Sequence, residues 1–254
     1  MPQFSENSPP QNVIIVGASG GIGLGFVRYF LHQVPFPVNI WATYRHPSAD
    51  LLTLSQQFES HLTLIPLDIT QADQIEQFSQ QLGKTPIHWL INCVGILHVD
   101  GQPPEKSLRH LNPEQLQRYF MVNTIGPLLL AKYFLPHFRH GEPSIFATLS
   151  AKVGSIGDNQ LGGWYGYRAS KAALNMALKT TAIEYRRVAP NNAVVMLHPG
   201  TTDTGLSKPF QKNVPPEKLF SVDRTVTQLM AILLQVTPAN SGSFYSWDGS
   251  LLPW

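Results

Sequence analysis

The sequence predicts an α/β fold built on a doubly wound parallel sheet, and three observations carry that expectation. Short apolar runs alternate with longer helix-like stretches along the chain, the pattern of strands joined by crossover helices. The first apolar run feeds straight into a glycine-rich turn, Gly17-Ala18-Ser19-Gly20-Gly21-Ile22-Gly23, which opens a helical pattern. No repeat, low-complexity tract or composition break divides the 254 residues, and an α/β chain of this length is commonly one domain.

Taken in order, strands are expected at Asn12–Val16, Val38–Tyr44, Leu62–Leu67, Trp89–Cys93, Ser144–Leu149, Ala193–Leu197 and Gly242–Ser246. Helices are expected at Ile22–Gln33, Asp50–Glu59, Ala72–Leu82, Pro113–Phe138, Tyr165–Val188 and Val222–Leu234. Asn112 followed by Pro113 reads as an N-cap with proline at the first helical position. That gives a sheet of six to seven strands with helices on both faces, whose ligands bind beyond the carboxyl ends of the strands. Residues 1–11, polar and carrying three prolines, read as a disordered lead-in to a single domain at 12–254.

Composition removes several function classes. The formal charge is +2, from 18 basic and 16 acidic residues with no long run of either, so neither nucleic acid nor a charged membrane surface is an expected partner. Apolar stretches are broken well short of the ~20 residues that cross a bilayer. The N-terminus has no basic start or apolar middle of a secretory signal, and a cytoplasmic location is expected. The single cysteine, Cys93, permits no internal disulfide and sits in an apolar run, as a small buried hydrophobe would. The nine histidines show no metal-ligand spacing. His88, His98, His137 and His198 read as surface or packed residues, and no metal is expected.

The chemistry begins at the glycine turn. Gly17, Gly20, Gly21 and Gly23 allow a tight turn and a close backbone approach to a pyrophosphate, and the helix opening at Ile22 points its free N–H groups at that phosphate. A strand before and a helix after the turn are the context that a dinucleotide cradle requires. Ser19 belongs to the same cradle. At the end of the second strand, Thr43-Tyr44-Arg45-His46-Pro47 offers no acid before Asp50. Arg45 presents donors suited to a 2′-phosphate that a carboxylate would repel, so NADP(H) is expected over NAD.

Further along, Tyr167 and Lys171 stand four residues apart in Tyr167-Arg168-Ala169-Ser170-Lys171, which places them on one helix face. A cation beside a phenol favours phenolate and lowers the tyrosine pKa toward working pH. The pair therefore reads as a proton donor to a carbonyl oxygen, the chemistry of a carbonyl reductase.

With these residues in hand the chain resembles the short-chain dehydrogenase/reductases from about Asn12 to its C-terminus. Segments around Gly154-Ser155-Ile156, Tyr165 to Asn175 and the ending Asp248-Gly249 to Trp254 are similar to the sniffer and C-factor group of carbonyl reductases. The resemblance implies a Rossmann-type fold and hydride transfer between NADP(H) and a carbonyl or alcohol. Leu67-Asp68-Ile69-Thr70 implies adenine contact by Asp68, with Ile69 beside it. Asn92-Cys93-Val94-Gly95 resembles an Asn-Asn-Ala-Gly motif and implies that Asn92 and Gly95 line the cofactor cleft. Asn123 corresponds to a helix asparagine that supports a water leading to Lys171. Pro199, Gly200, Thr202 and Thr204 correspond to a loop that meets the nicotinamide carboxamide.

The family's serine, three residues before Gly154, falls on Ala151. Ser150, one step away, is assigned as the assisting hydroxyl, with Ser155 the second candidate. Trp164, Tyr165, Asn159 and Gln160 either line a substrate pocket or simply pack. The segment Leu206–Ser221, short and holding Pro209, Pro215 and Pro216, suggests an open pocket. A small-residue helix face at Ala172, Ala173 and Ala177 suits a homodimer. The alternative to an enzyme is an NADP-binding sensor with vestigial turnover.

Overall fold

The computed structural model describes residues 9–98 and 102–254, with the backbone alone at Asn213. Residues 1–8 of the expected lead-in lie outside the described residues. The sheet strands are β1 (Gln11–Val16), β2 (Val38–Tyr44), β3 (Leu62–Pro66), β4 (Trp89–Asn92), β5 (Ser144–Leu149), β6 (Asn192–His198) and β7 (Ser243–Ser246). They pair in the order β3-β2-β1-β4-β5-β6-β7, and every pairing is parallel. The fold is thus a Rossmann-type doubly wound sheet. β1 starts at Gln11, which is buried, so the expected lead-in ends one residue too late.

The chain runs outward from β1 to β3, then returns to pair β4 on the other side of β1. That reversal is the switch point where such sheets bind ligands. Side chains of β1 serve both faces alternately, as strand geometry demands. Val13 and Ile15 join Phe26 and Phe30 of α1 (Gly21–His32), Leu51 and Leu54 of α2 (Ala49–Gln57), and Leu229 and Leu233 of α7 (Val222–Leu233). Ile14 and Val16 join Ile75 and Phe78 of α3 (Ala72–Gln81), Leu130 and Phe134 of α5 (Gly126–Phe134), and Leu174 and Leu178 of α6 (Tyr165–Val188). Each fully buried Phe or Leu here stabilises the fold by about 1.5–3 kcal/mol relative to exposure.

The helix expected over Pro113–Phe138 is not uniform. α4 (Pro113–Phe120) is capped by the Asn112 side chain, which accepts from the Gln115 N–H at 3.1 Å. A π turn follows at Met121–Ile125, then α5, then a 3-10 turn at Leu135–Phe138. Pro127 has no N–H for the Asn123 carbonyl four residues back, and the chain relaxes into the wider turn there. A short two-residue pairing of Thr201–Thr202 with Leu219–Phe220, unforeseen in the sequence, ties the loop after β6 to the approach to α7. Among the described residues no helix is long and apolar enough to cross a membrane.

Candidate active site

The glycines of the first loop divide their work. Gly17 turns at a φ of +85°, and a Cβ there would lie 2.7 Å from Val94 Cγ2. A Cβ on Gly23 would lie 2.0 Å from the Gly17 carbonyl oxygen, so only glycine lets α1 start this close to β1. Gly20 is different: a Cβ there meets nothing within 4 Å, and the residue is exposed. Gly20 is also the residue preceding α1, which begins with no side-chain cap. The loop therefore closes on itself at Gly17 and Gly23 and stays open at Gly20, as a phosphate cradle must. Ile22 packs against the core beneath it.

Neighbouring loops complete the rim. The Ser19 hydroxyl donates to the His46 carbonyl at 2.6 Å, tying the cradle to the turn that carries Arg45. Arg45 is exposed, and among the described residues it has no partner. Asp50, the nearest acid, is held 2.6 Å from Arg28 instead. Asp68 Oδ1 accepts from the Thr70 N–H and hydroxyl at 2.9 and 2.8 Å. Ile69 is buried against Gly126 of α5, where a Cβ would come within 2.7 Å.

At the end of β4, Asn92 is wholly buried and its Oδ1 accepts from the Val94 N–H at 3.1 Å, while its Nδ2 has no partner among the described residues. An orphaned donor at the switch point suits a polar ligand group. Gly95 lies between the two halves of the site. A Cβ there would be 3.3 Å from Lys171 Nζ and 3.4 Å from Asn123 Oδ1. Asn123 sits in the π turn, accepting from the Ile96 N–H at 2.9 Å and giving Nδ2 to the Ile96 carbonyl and Ser170 Oγ, both at 3.0 Å. It clamps the loop after β4 against α6.

Tyr167 and Lys171 occupy the first turns of α6, and both are buried. Lys171 Nζ donates to the Leu149 carbonyl at 2.9 Å and lies 5.9 Å from the centroid of the Tyr167 ring. The Tyr167 ring is flanked edge-on by Tyr119 at 6.3 Å and Trp164 at 6.2 Å. The electrostatics correct one expectation. Burial, with the Tyr119 hydroxyl second, pushes the Tyr167 hydroxyl above the usual phenol range. Burial also draws the Lys171 ammonium down from 10.5 to about 8. Desolvation outweighs the acidifying neighbour that sequence spacing alone suggested.

Both candidate serines have partners of their own. Ser150 is buried and spends its hydroxyl on Asn175 Oδ1 at 2.6 Å. Ser155 is equally buried and accepts from the Asp158 N–H at 3.1 Å. The apolar side chains that pack on the Tyr167, Tyr119 and Leu97 cluster from this stretch are those of Ala151 and Val153. Ser150 follows the last residue of β5 and turns its hydroxyl to Asn175 of α6.

After β6, Gly200 turns at a φ of +71°, with a Cβ position 2.6 Å from Phe220. This follows Pro199 and leads to Thr202, whose Oγ1 meets Thr225 Oγ1 at 2.8 Å. Thr202 is therefore anchored to α7. Thr204 Cγ2 stands 3.1 Å from the Cβ position of Gly21, so this loop touches the cradle. The segment beyond it is less open than expected, because Phe210 meets Trp164 edge-on at 5.2 Å. Of the four residues with two readings, Trp164 packs on Tyr167, while Tyr165, Asn159 and Gln160 are exposed.

Other expectations concern residues outside this cluster. His88 Nδ1 accepts from the Asn12 N–H at 2.9 Å, and His137 Nε2 lies 3.0 Å from Ser79 Oγ, so both are packing groups. Burial depresses His198 to about 4 and raises the Cys93 thiol. Two cavities, about 670 Å³ beside Gln228 and Trp247 and about 500 Å³ beside Arg109 and Gln115, touch neither Tyr167 nor the glycine loop. Sequence reasoning missed Tyr119, fully buried against Tyr167. Its position four residues before Asn123 on a helical run was the available signal.

The short chain dehydrogenase family model matches residues 11–215. The chain belongs to the short-chain dehydrogenase family. It is 30% identical over 178 residues to the C-signal of Myxococcus xanthus, covering 70% of this chain and 98% of that one. It is 28% identical over 246 residues to a 1-hydroxy-2-glutathionyl-2-methyl-3-butene dehydrogenase of Rhodococcus sp. strain AD45, covering 95% and 99%. Among solved structures, the NADPH-bound carbonyl reductase from chicken fatty liver superposes with a TM-score of 0.85 at 28% identity, over 97% of this chain and all of that one. The carbonyl reductase Sniffer of D. melanogaster shares the fold, with a TM-score of 0.84 at 23% identity over 97% of this chain and 100% of that one. This short-chain dehydrogenase is accordingly an oxidoreductase by family.

Proposed function

We propose that this oxidoreductase reduces a carbonyl to an alcohol with NADPH, and that Tyr167 is the proton donor. The observation that carries the reading is the meeting of Lys171 Nζ and Asn123 Oδ1 at Gly95, with Tyr167 one helical turn away on the same face of α6. The NADPH-bound chicken reductase, of similar fold and 28% identity, supports the choice of cofactor.

The residues suit the dinucleotide: the open cradle at Gly20 takes a pyrophosphate, Asn92 Nδ2 is a buried donor awaiting a partner, and Arg45 offers charge for a 2′-phosphate. On this reading Ser19, Gly21 and Asp68 would meet the dinucleotide from one side and Pro199, Gly200, Thr202 and Thr204 from the other, with Thr204 Cγ2 3.1 Å from the Cβ position of Gly21. When bound, the reduced nicotinamide supplies the hydride that the carbonyl carbon gains.

Tyr167 supplies the proton. With burial holding its hydroxyl protonated, Tyr167 donates to the carbonyl oxygen as that oxygen takes on negative charge, and an alcohol results. Lys171, drawn to about 8, returns a proton to the phenolate. Asn123 has both Nδ2 hydrogens engaged and one Oδ1 lone pair left for a water that resupplies Lys171. Ser150 is spent on Asn175, so its hydroxyl is not counted as a donor here.

NADPH oxidation followed against aldehydes, ketones and quinones tests the activity, and Tyr167→Phe tests the donor. Loss of about a hundredfold or more in kcat with NADPH binding retained is the expected result. Turnover by the Phe variant close to that of the wild type would overturn the role of Tyr167, and no NADPH oxidation with any carbonyl would overturn the reaction.

A further inference from the structure

Glu105 is a carboxylate that the mechanism above does not use. It is 2% exposed, and among the described residues its Oε1 has no partner. Its Oε2 accepts from the Gly166 N–H at 3.2 Å, and its own carbonyl accepts from the Trp164 N–H at 2.5 Å. A buried carboxylate with so few donors is costly.

The place it occupies explains the cost. α6 begins at Tyr165 with no acidic residue in its first turn and no side-chain cap of its own, and Trp164 before it lies in the left-handed region at a φ of 52°. Glu105 supplies from outside the helix the acceptor that a cap would give, and its charge faces the positive end of the helix dipole. Gly166 is shaped to it: a Cβ there would fall 2.9 Å from Glu105 Oε1 and 2.5 Å from Tyr119 Cδ2. Glycine weakens a helix, so its presence one residue before Tyr167 marks this close approach. The Glu105 charge also reaches Tyr119, which burial first and Glu105 second push up to about 12. Tyr119 in turn packs on Tyr167.

We propose that Glu105 is a positioning residue for Tyr167, pinning the residues on either side of Tyr165 so that the phenol enters the site at a fixed angle. The proposal rests on Tyr167 being the proton donor. A donor displaced by a fraction of an ångström loses rate without losing cofactor.

The test compares Glu105→Ala, Glu105→Asp and Glu105→Gln in the full chain, with NADPH and the carbonyl that the wild type reduces best. Asp keeps the charge but is one methylene too short for the Gly166 N–H, and it serves if the Ala protein does not fold. Gln keeps an acceptor at full reach. Ala and Asp are expected to lower kcat about tenfold or more while KM and the NADPH Kd stay within about twofold, and Gln to recover the rate to within about threefold. Amide exchange at Gly166, Tyr167 and Arg168 is expected to quicken in Ala and Asp only. A kcat within about twofold of wild type in Ala and Asp, a parallel rise in NADPH Kd, or a Gln protein as slow as Ala would overturn the proposal. Failure of the proton-donor reading would show separately, as a Tyr167→Phe protein with normal turnover.

Discussion

Lys171 Nζ stands 5.9 Å from the centre of the Tyr167 ring while donating to the Leu149 carbonyl at 2.9 Å. The two groups share a helix face, yet burial pulls them in opposite directions: the phenol holds its proton more tightly and the amine less. On the proposed mechanism this pairing suits reduction, where the phenol would give a proton and the Lys171 ammonium would replace it.

The lysine carries a stability consequence with a definite sign. Its folded pKa of about 8 lies below the ordinary 10.5, so between these values the unfolded chain holds more protons. Stability therefore rises with pH across that window, and the penalty of the buried charge is complete below about pH 8. Lys171→Met removes that penalty. Its Tm near neutrality is expected to equal or exceed that of the wild type, with the difference shrinking toward about pH 10. Turnover should fall about a hundredfold or more in the same protein. Thermal melts across pH beside NADPH-oxidation rates check both, and a variant less stable than wild type at neutral pH would contradict the account.

Arg45 makes a separable prediction because it is exposed and without a partner among the described residues. Arg45→Glu places a carboxylate where a 2′-phosphate is proposed to sit. The KM for NADPH is expected to rise about tenfold or more while that for NADH holds or improves, with kcat little changed. Steady-state kinetics with both cofactors decide it. Equal effects on the two would mean that Arg45 is an ordinary surface charge.

The glycine loop gives a contrast between two substitutions of one type. Gly20→Ala adds a methyl where nothing lies within 4 Å, so Tm should hold while NADPH binding weakens. Gly23→Ala drives a methyl to 2.0 Å from the Gly17 carbonyl and must displace backbone, so Tm should fall, by an amount on the order of 1–3 kcal/mol in stability or more. Melting curves and NADPH titrations separate the two. A Gly20→Ala protein that binds NADPH as tightly as wild type would show that the phosphate does not approach there.

Much of this was legible in the sequence, for identifiable reasons. The apolar run at Asn12–Val16 feeding into Gly17, and the four-residue step from Tyr167 to Lys171, are local patterns whose consequence is local. The π turn at Met121–Ile125 escaped because one extra residue in a turn barely alters apolar spacing. The pairing of Thr201–Thr202 with Leu219–Phe220 was too short to leave a pattern. The contact of Glu105 with Gly166 joins residues 61 apart, and no spacing rule reaches that far. The direction of the Tyr167 shift was missed because desolvation depends on what covers a group, which Tyr119 and Trp164 decide only in three dimensions.

The part played by positions 150 and 151 can be tested in both directions. Ser150→Ala removes the donor to Asn175 Oδ1 in the core and should lower stability by about 1–3 kcal/mol while leaving kcat within about twofold. Ala151→Ser instead places a hydroxyl on the side that packs against Tyr167. A second donor to the carbonyl oxygen is worth about 0.5–1.5 kcal/mol, so kcat should rise by roughly two- to tenfold. Denaturant melts and steady-state rates measure the pair. A Ser150→Ala protein that keeps its stability and loses turnover would return the catalytic role to Ser150, because a hydroxyl bound only to Asn175 has no route to the substrate except through the fold.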